Sequence, residues 1–364
     1  MKVAIITLHA INNYGSVLQA LATERIFIDL GLDVETIDYV RETAQLDSAW
    51  KIMKYGGPGM VIKIKQLFLH IFSKKSDRGK VLDEFRIKYL HLTKRRYFCD
   101  NDLIGDVPQA DIYCTGSDQT WNVVVQGGIP YAFFLDFAPK SKKRISFAAS
   151  FGIDSIPSKY QREVESLLKK YSAISVRETS GKRIIDDMYI KNVQVLDPTI
   201  AVGRDFWLSF ASKREVEGDY LFVYQLNSSN DFSKYVINFA NKKDIKIVYV
   251  KSRKVVVYSN AIYYEAPTPQ VLLSLFKYSK YVITDSFHAT VFSILFHCNF
   301  ADIFPSRFPT RLESILELTG LQSRHVEDLS NFTYHDIAID YDRVDRILQR
   351  ERKKTYEFLK KAIS

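Results

Sequence analysis

The chain of 364 residues is poor in cysteine, with only Cys99, Cys114 and Cys298. Their spacing fits neither a disulfide framework nor a metal-ligand motif, which argues against a structural zinc site and indicates reduced thiols in a cytoplasm. Long apolar runs are missing as well, since none approaches the roughly 18 residues of a membrane span. The opening MKVAIITLHAINNYG has too short an apolar part for a signal peptide, so we expect a first strand there.

The positive charge is concentrated in one part of the chain. A composition of 46% hydrophobic and 26% charged residues is typical of a folded protein, and the length allows two domains. Residues 51–80 contain eight basic residues and one acidic residue, which account for most of the net charge of +9. Because no nucleic-acid motif accompanies them and the rest of the chain is nearly neutral, we expect no nucleic-acid partner.

The stretch GMVIKIKQLFLHIFSKK, residues 59–75, places apolar side chains on one helical face with lysines beside them. These side chains are Val61, Ile64, Phe68, Ile71 and Phe72. This pattern predicts a basic amphipathic helix that contacts the inner face of the plasma membrane or holds a substrate linked to a lipid diphosphate. The alternative is a solvated helix packed on the surface of its domain.

Strand and helix patterns alternate along the chain. All-apolar runs such as KVAIITL and YLFVY indicate strands buried on both faces of a parallel sheet. The sequence therefore predicts an α/β fold of two Rossmann-like domains that face a central cleft. We expect a first domain over 1–205 with a basic insertion at about 51–96, a second over 206–342 and a C-terminal helix over 343–364. The linker is expected where composition shifts, at 197–220.

Polar residues follow several predicted strands. In HAINNYGS, Asn13 favours a tight turn, Gly15 lets a ligand approach the backbone and Ser16 can cap a helix. In TGSDQTWN, residues 115–122, hydrogen-bonding side chains surround Trp121, an arrangement that proteins use to bind sugars. The structural alternatives are a common loop-to-helix turn for the first motif, and a helix N-cap beside a core tryptophan for the second.

Charged residues follow two further strands. Arg177, in SVRE, either binds an anion or forms an internal salt bridge with Glu178 or Asp197. In YVITDSFHATVFSILF, Ser286 is expected near a helix N-cap, where free amides favour a phosphate or carboxylate. His288, beside Asp285, would then lie in the first helical turn and transfer a proton, unless it is a structural histidine.

Several segments together resemble the polysaccharide pyruvyl transferase family. They are TLHAINNYGSVLQA, YCTGSDQTWN, FLDFAPKSKKRISFAASFG, ISVRE, VLDPT, TDSFHATVFSILF and RLESILELTGL. The resemblance covers about residues 2–325. It implies a fold similar to the GT-B glycosyltransferase architecture. It also implies transfer of pyruvate from phosphoenolpyruvate to a sugar of a cell-surface polysaccharide, as a cyclic ketal.

The resemblance also implies roles for individual residues. His288 is expected to act as the acid or base, assisted by Asp118 or Asp285. The family often has Arg-Leu-His where this chain has Ser286, Phe287 and His288, so other arginines are expected to supply the missing charge. The expected donor-binding residues are Arg177, Ser286, Phe287, Thr290, Arg307 and Arg311. The expected acceptor-binding residues are Asn13, Tyr14, Gly15, Gln19, Gly116, Ser117, Gln119, Trp121 and Asn122. Arg311 has an alternative as a surface residue that opens the following helix.

Neither a metal nor a cofactor is expected, apart from phosphoenolpyruvate as the donor substrate. Two other functions fit the same motifs. One is a nucleotide-sugar-dependent glycosyltransferase of GT-B type, and the other is a non-catalytic carbohydrate-binding protein of polysaccharide assembly. The expected location is the cytoplasm, with loose attachment to the inner face of the plasma membrane.

Overall fold

The computed structural model describes residues 1–40, 77–227, 229–250, 258–306, 309–330, 332 and 337–364. The predicted basic helix at 59–75 and the predicted donor-binding Arg307 lie outside these ranges. The strands are β1 Lys2–Ile6, β2 Asp33–Tyr39, β3 Leu92–Tyr97, β4 Ile112–Thr115, β5 Lys143–Ser146, β6 Ser175–Val176, β7 Val193–Gln194, β8 Tyr220–Tyr224, β9 Lys246–Val250, β10 Ala261–Tyr264, β11 Tyr281–Thr284 and β12 Asn299–Asp302.

The α-helices lie between these strands. They are α1 Tyr14–Asp29, α2 Asp77–Tyr89, α3 Asp100–Gly105, α4 Ser158–Leu168, α5 Thr179–Asp186, α6 Pro198–Ala201, α7 Arg204–Phe210, α8 Asn230–Lys243, α9 Pro269–Lys277, α10 Phe287–Leu295, α11 Thr310–Thr319 and α12 Tyr341–Ile363. Short 3₁₀ helices span Tyr131–Phe134 and Gln322–Arg324.

Two parallel sheets with the same topology organise the described residues into two lobes. The strand order is β3-β2-β1-β4-β5 in the first sheet and β10-β9-β8-β11-β12 in the second. The short pair of β6 and β7 joins the edge of the first sheet through bridges at Ile145–Ala173 and Ala149–Val176. Val3 to Ile6 in β1 and all of β8 are buried, because helices cover both faces of each sheet.

In each sheet the chain order reverses beside the central strand. β1 pairs with β2 on one side and β4 on the other, and β8 pairs with β9 and β11. In such sheets, ligands bind in the crevice where the loops after these neighbouring strands diverge. The loops after β1, β4, β8 and β11 are therefore the places to look for a site.

The first part of the segment at 197–220, predicted as a linker, packs into the core. It forms α6 and α7, and the fully buried ring of Trp207 packs edge-on against Phe292 of the second lobe, with ring centroids 5.3 Å apart. Phe206 and Phe210 are partly buried beside Trp207, and this aromatic packing accounts for the composition of the run FWLSF.

Helix α12, predicted over 343–364, spans Tyr341–Ile363 and contacts both lobes. It contacts α11 of the second lobe and α6 near the first. The backbone amide of Leu196 donates to the Thr355 hydroxyl at 3.1 Å, which ties the C-terminal half of the helix to the first lobe.

Several elements have no counterpart in the sequence prediction, among them α2, α3, α5, β3, β10 and β12. β3 reads LTKRRY, and three of its six residues are exposed because it lies at the edge of the sheet. Alternation of apolar residues is weak in such an edge strand, so its periodicity gives little signal.

Candidate active site

The N-terminus of α1 follows β1 and lies at the interface between the lobes. The Asn13 side chain caps this helix by accepting hydrogen bonds from the amides of Gly15, at 2.8 Å, and Ser16, at 3.4 Å. The next contact crosses to the second lobe. A Cβ placed on Gly15 would lie 2.1 Å from Nδ1 of His288, so the imidazole rests directly on the glycine. Only glycine leaves room for the ring at this position.

The buried guanidinium of Arg177 lies near this contact. Arg177 follows β6, and its side chain is 1% exposed. Its nitrogens lie 2.7 Å from Asp197, 3.3 Å from Asp118 and 3.6 Å from Glu178. Burial opposes the charge of Arg177, but Asp197, Asp118 and Glu178 outweigh burial and raise its pKa. The sequence allows either anion binding or a salt bridge for Arg177, and the structure shows the salt bridge.

Hydroxyl groups orient two of these carboxylates. Ser16 donates a short hydrogen bond to Asp118, and Ser117 donates to Asp197 at 2.9 Å. Burial raises the pKa of Asp118, but Arg177 and His288 outweigh burial and lower the pKa to about 2. The same balance lowers the pKa of Asp197. Both groups are therefore carboxylates at neutral pH.

The backbone of Asp118 is in the left-handed region, with φ of 73°. Aspartate tolerates this conformation better than most residues but still loses some stability in it. Strained residues of this kind concentrate at functional sites. The strain at Asp118 supports a functional role for the loop after β4.

His288 occupies the first turn of α10 and is 8% exposed. Its Nε2 atom is buried and has no hydrogen-bond partner among the described residues. Burial lowers the pKa of His288 to about 4, although the charges of Asp197 and Asp118 oppose this shift. The imidazole is therefore neutral at pH 7, with one ring nitrogen left for a ligand or a proton.

The N-terminus of α10 adds backbone donors at the same place. Ser286 is the N-cap residue, but its side chain makes no capping hydrogen bond. The first amides of the helix are thus left for another acceptor, and the helix dipole favours an anion there.

Arg311 supplies a second guanidinium near this helix end. Phe287 lies between two arginines, with its ring centroid 4.6 Å from Cζ of Arg177 and 6.0 Å from Cζ of Arg311. Nε of Arg311 is buried without a hydrogen-bond partner, and Arg311 forms no ion pair with the residues that the structure describes. Burial and the charge of Arg177 lower its pKa to about 10, so Arg311 stays charged at neutral pH. Arg311 is half-buried and lies in the first turn of α11, as the alternative prediction placed it.

Asp285 and Thr290 have structural contacts. The carboxylate of Asp285 accepts from the amides of Leu226 at 2.6 Å and Asn227 at 2.7 Å, which fixes the loop after β8. Thr290 is fully buried and donates to Asp302 at 2.8 Å. The structure therefore does not support catalysis by Asp285 or donor binding by the Thr290 side chain, because both are occupied by their own lobe.

Several predicted acceptor-binding residues belong to the core. The Trp121 ring is fully buried, stacks on Phe134 with centroids 5.4 Å apart and donates from Nε1 to the carbonyl of Phe133 at 3.0 Å. Gln19 is also fully buried and donates to the Thr7 hydroxyl at 2.8 Å. The prediction that these two side chains hold a sugar is therefore wrong for this arrangement, since neither faces solvent.

The other predicted acceptor residues have mixed positions. Tyr14 is buried and donates from its hydroxyl to the carbonyl of Pro267 at 2.6 Å, a contact between the lobes. Gly116 packs against Thr7, because a Cβ there would lie 2.9 Å from Thr7 Cβ. Asn122 is buried and donates to the partly exposed Gln119 at 2.7 Å. Of the predicted acceptor residues, Asn13 and Gln119 are partly exposed.

Glu178 is a site residue that the sequence motifs do not predict, and Ser16 has a different role from the predicted helix cap. Glu178 accepts from the Ser150 hydroxyl and from the amides of Phe151 and Gly152, at 2.9 to 3.1 Å, so it holds the loop after β5 beside Arg177. The sequence signal for Glu178 is its position directly after Arg177, which follows an apolar strand. Ser16 uses its hydroxyl for Asp118, because Asn13 already caps the helix.

The overall architecture is that of the GT-B class, and comparison with solved structures shows the same fold. S. aureus MnaA, solved with UDP, matches with a TM-score of 0.53 at 10% identity, covering 98% of this chain and 91% of that chain. A putative UDP-N-acetylglucosamine 2-epimerase from Listeria monocytogenes matches with a TM-score of 0.51 at 10% identity, covering 95% and 94%. At these identities the similarity concerns the fold alone.

The family follows from the sequence. The profile of the polysaccharide pyruvyl transferase family matches residues 13–301, well over half of the chain. The chain therefore belongs to the polysaccharide pyruvyl transferase family. No curated protein matches it in sequence. Every helix within the described ranges is too short or too polar to traverse a bilayer.

Proposed function

We propose that the protein transfers pyruvate from phosphoenolpyruvate to a saccharide of a cell-surface polysaccharide precursor and forms a cyclic ketal. One observation carries the proposal. The partnerless Nε2 of His288 lies at an uncapped helix end, in the same cluster as Arg311 and the carboxylates that surround Arg177. The membership of the family supports the same reaction class.

The donor site is assigned to the second lobe. Phosphoenolpyruvate carries close to three negative charges at neutral pH, so its site needs cations and backbone donors. The first amides of α10 and the guanidinium of Arg311 supply them. Arg177 contributes indirectly, because its charge is already shared among Asp118, Asp197 and Glu178. Arg311 thus takes the place of the arginine that the family often has at position 286.

His288 is assigned as the proton carrier. The bound donor adds negative charge beside the imidazole, which raises the pKa of His288 from about 4 and favours uptake of a proton. The imidazolium then protonates the methylene carbon, and the neighbouring carbon becomes cation-like. A first sugar hydroxyl adds there and passes its proton to the neutral imidazole. The imidazolium passes this proton to the phosphate as it leaves, and a second hydroxyl closes the ketal ring and gives its own proton to the neutral imidazole.

Asp118 is assigned to position groups and to stabilise charge. A carboxylate with a pKa of about 2 is a weak base, so Asp118 is poorly suited to deprotonate a sugar. It holds the Ser16 hydroxyl and offsets the positive charge that His288 carries during turnover. On the acceptor side, Asn13 and Gln119 have the exposure needed to contact a sugar.

The test is a mass-spectrometric assay of the full chain with phosphoenolpyruvate and a panel of galactosides, including lipid-linked ones. We expect a pyruvyl mass gain and release of phosphate. His288→Gln should lower kcat by about 10²–10⁴. Arg311→Gln should raise the KM for phosphoenolpyruvate. His297→Gln and Arg162→Gln are the controls, since His297 pairs with Asp345 and Arg162 is exposed on α4.

Two results would contradict the assignment. Transfer of a sugar from a UDP- or GDP-linked donor, without a pyruvyl product, would favour a glycosyltransferase. A product that forms equally fast in His288→Gln would remove His288 from the mechanism. The lipid linkage of the acceptor and the membrane contact through residues 59–75 stay predictions.

A further inference from the structure

A groove of about 680 Å³ lies between the C-terminal half of α12 and the amino ends of β6 and β7. Its apolar lining includes Leu168, Ala173, Ile174, Ile190, Val193 and Phe358. The candidate active site uses the opposite, carboxyl ends of the strands, so the groove is a separate feature. We call it the lysine groove because of the residues at its rim.

Four lysines and one acidic residue, Glu357, line the rim: Lys169, Lys191, Lys354 and Lys361. Lys169 pairs with Glu165 at 2.5 Å and Lys354 with Glu351 at 3.4 Å. Lys191 and Lys361 are exposed and form no ion pair with any residue that the structure describes. Glu357 offsets one of these two charges, so the rim keeps an excess of positive charge beside an apolar surface.

An aromatic side chain stands at one end of the groove. Tyr189 lies in the turn after α5 with φ of 56°, and 98% of it is exposed. A left-handed turn holds this ring in solvent between Met188 and Ile190. A tyrosine with one polar end and one apolar face suits the boundary between lipid headgroups and acyl chains.

We propose that the lysine groove docks on the anionic surface of a lipid bilayer, with Tyr189 at headgroup level and the apolar lining against an acyl chain. The charges of Lys191 and Lys361 exceed that of Glu357 and complement anionic headgroups. An acidic peptide fits less well. The rim offers lysines, whereas arginine is the residue that binds carboxylates with two parallel hydrogen bonds. The groove also opens at the ends of the strands, away from the free edge of β7 to which a peptide strand would add. This inference is independent of the proposed reaction.

Vesicle sedimentation of the full chain tests the proposal. We expect binding to phosphatidylcholine vesicles that contain phosphatidylglycerol, weak binding to pure phosphatidylcholine, and a loss of binding at high salt. Each lysine near such a surface contributes about fivefold to partitioning, so Lys191→Gln/Lys361→Gln should lower it about 30-fold. The control variant Lys94→Gln/Lys140→Gln removes two exposed lysines outside the groove and should retain most of the vesicle binding.

A tryptophan at position 189 gives a second readout. The emission of Tyr189→Trp, after subtraction of the wild-type signal, should shift to shorter wavelength with anionic vesicles. Unchanged sedimentation of the groove variant would place any membrane contact elsewhere on the chain and overturn the proposal. Absence of binding by the wild type would also overturn it. So would capture by immobilised polyglutamate through the same two lysines, which would reassign the groove to an acidic peptide.

Discussion

Replacement of Gly15 by alanine tests the contact on which the candidate site is built. A Cβ at this position would lie 2.1 Å from Nδ1 and 2.4 Å from Cγ of His288, whereas ordinary contacts are 3.4–4 Å. The imidazole must therefore move by more than about 1 Å, or the two lobes must separate. Overpacking of this kind costs about 1–3 kcal/mol.

The helix itself has the opposite preference. Alanine in place of glycine favours an α-helix by up to about 1 kcal/mol. In the His288→Ala background, Gly15→Ala should therefore stabilise the protein. With His288 present, the same substitution should give no stabilisation or should destabilise the protein. The coupling free energy of the double-mutant cycle with His288→Ala should be about 1–3 kcal/mol. A displacement of about 1 Å should also lower kcat about 10²-fold.

The assay combines thermal melting with turnover for the wild type, both single variants and the double variant. Each kcal/mol corresponds to about 2–4 °C in Tm for lobes of this size. Gly105→Ala is the matched control, because a Cβ there meets no atom within 4 Å. Additive Tm changes together with wild-type turnover of Gly15→Ala would refute the described contact.

Three further predictions concern neighbouring groups. The pKa of His288 is about 4 in the folded protein and about 6.5 in the unfolded chain, so the unfolded state takes up more protons as the pH falls below about 6.5. At pH 5 the free energy of unfolding of the wild type should therefore fall by about 2 kcal/mol relative to His288→Gln. This appears as a larger fall in Tm between pH 7.5 and 5. A larger loss in the variant would contradict this sign. Arg177→Met leaves three buried carboxylates without their partner and should cost about 3–5 kcal/mol in thermal melts, against little change for exposed Arg162→Met. Trp121→Phe should lower Tm through loss of the hydrogen bond to Phe133 and leave the KM for the acceptor unchanged; a raised KM without a loss of Tm would restore the sugar-stacking role.

Much of the framework follows from local pattern. The all-apolar runs KVAIITL and YLFVY become the central strands β1 and β8. The start of α10 at Phe287 was also predictable, because a short apolar strand, a polar turn and a longer apolar run occur in that order.

The site contacts depend on how the lobes meet. The approach of Gly15 to His288 joins two helix ends that are distant in sequence, so no local pattern indicates it. Trp121 shows the reverse case. Polar neighbours made it look like a sugar-binding residue, but Phe134 and Phe151 enclose its ring in the first lobe. Burial is decided by packing over the whole lobe, which a short motif does not encode.

The central claim is that the donor binds beside His288 and makes the imidazole take up a proton. Isothermal titration with phosphoenolpyruvate at pH 7, in two buffers of different ionisation enthalpy, measures the protons taken up on binding. We predict that the wild type takes up more protons on binding than His288→Gln does, and that Arg311→Gln binds more weakly. Equal proton uptake by the wild type and His288→Gln, with equal affinity in all three proteins, would contradict the account.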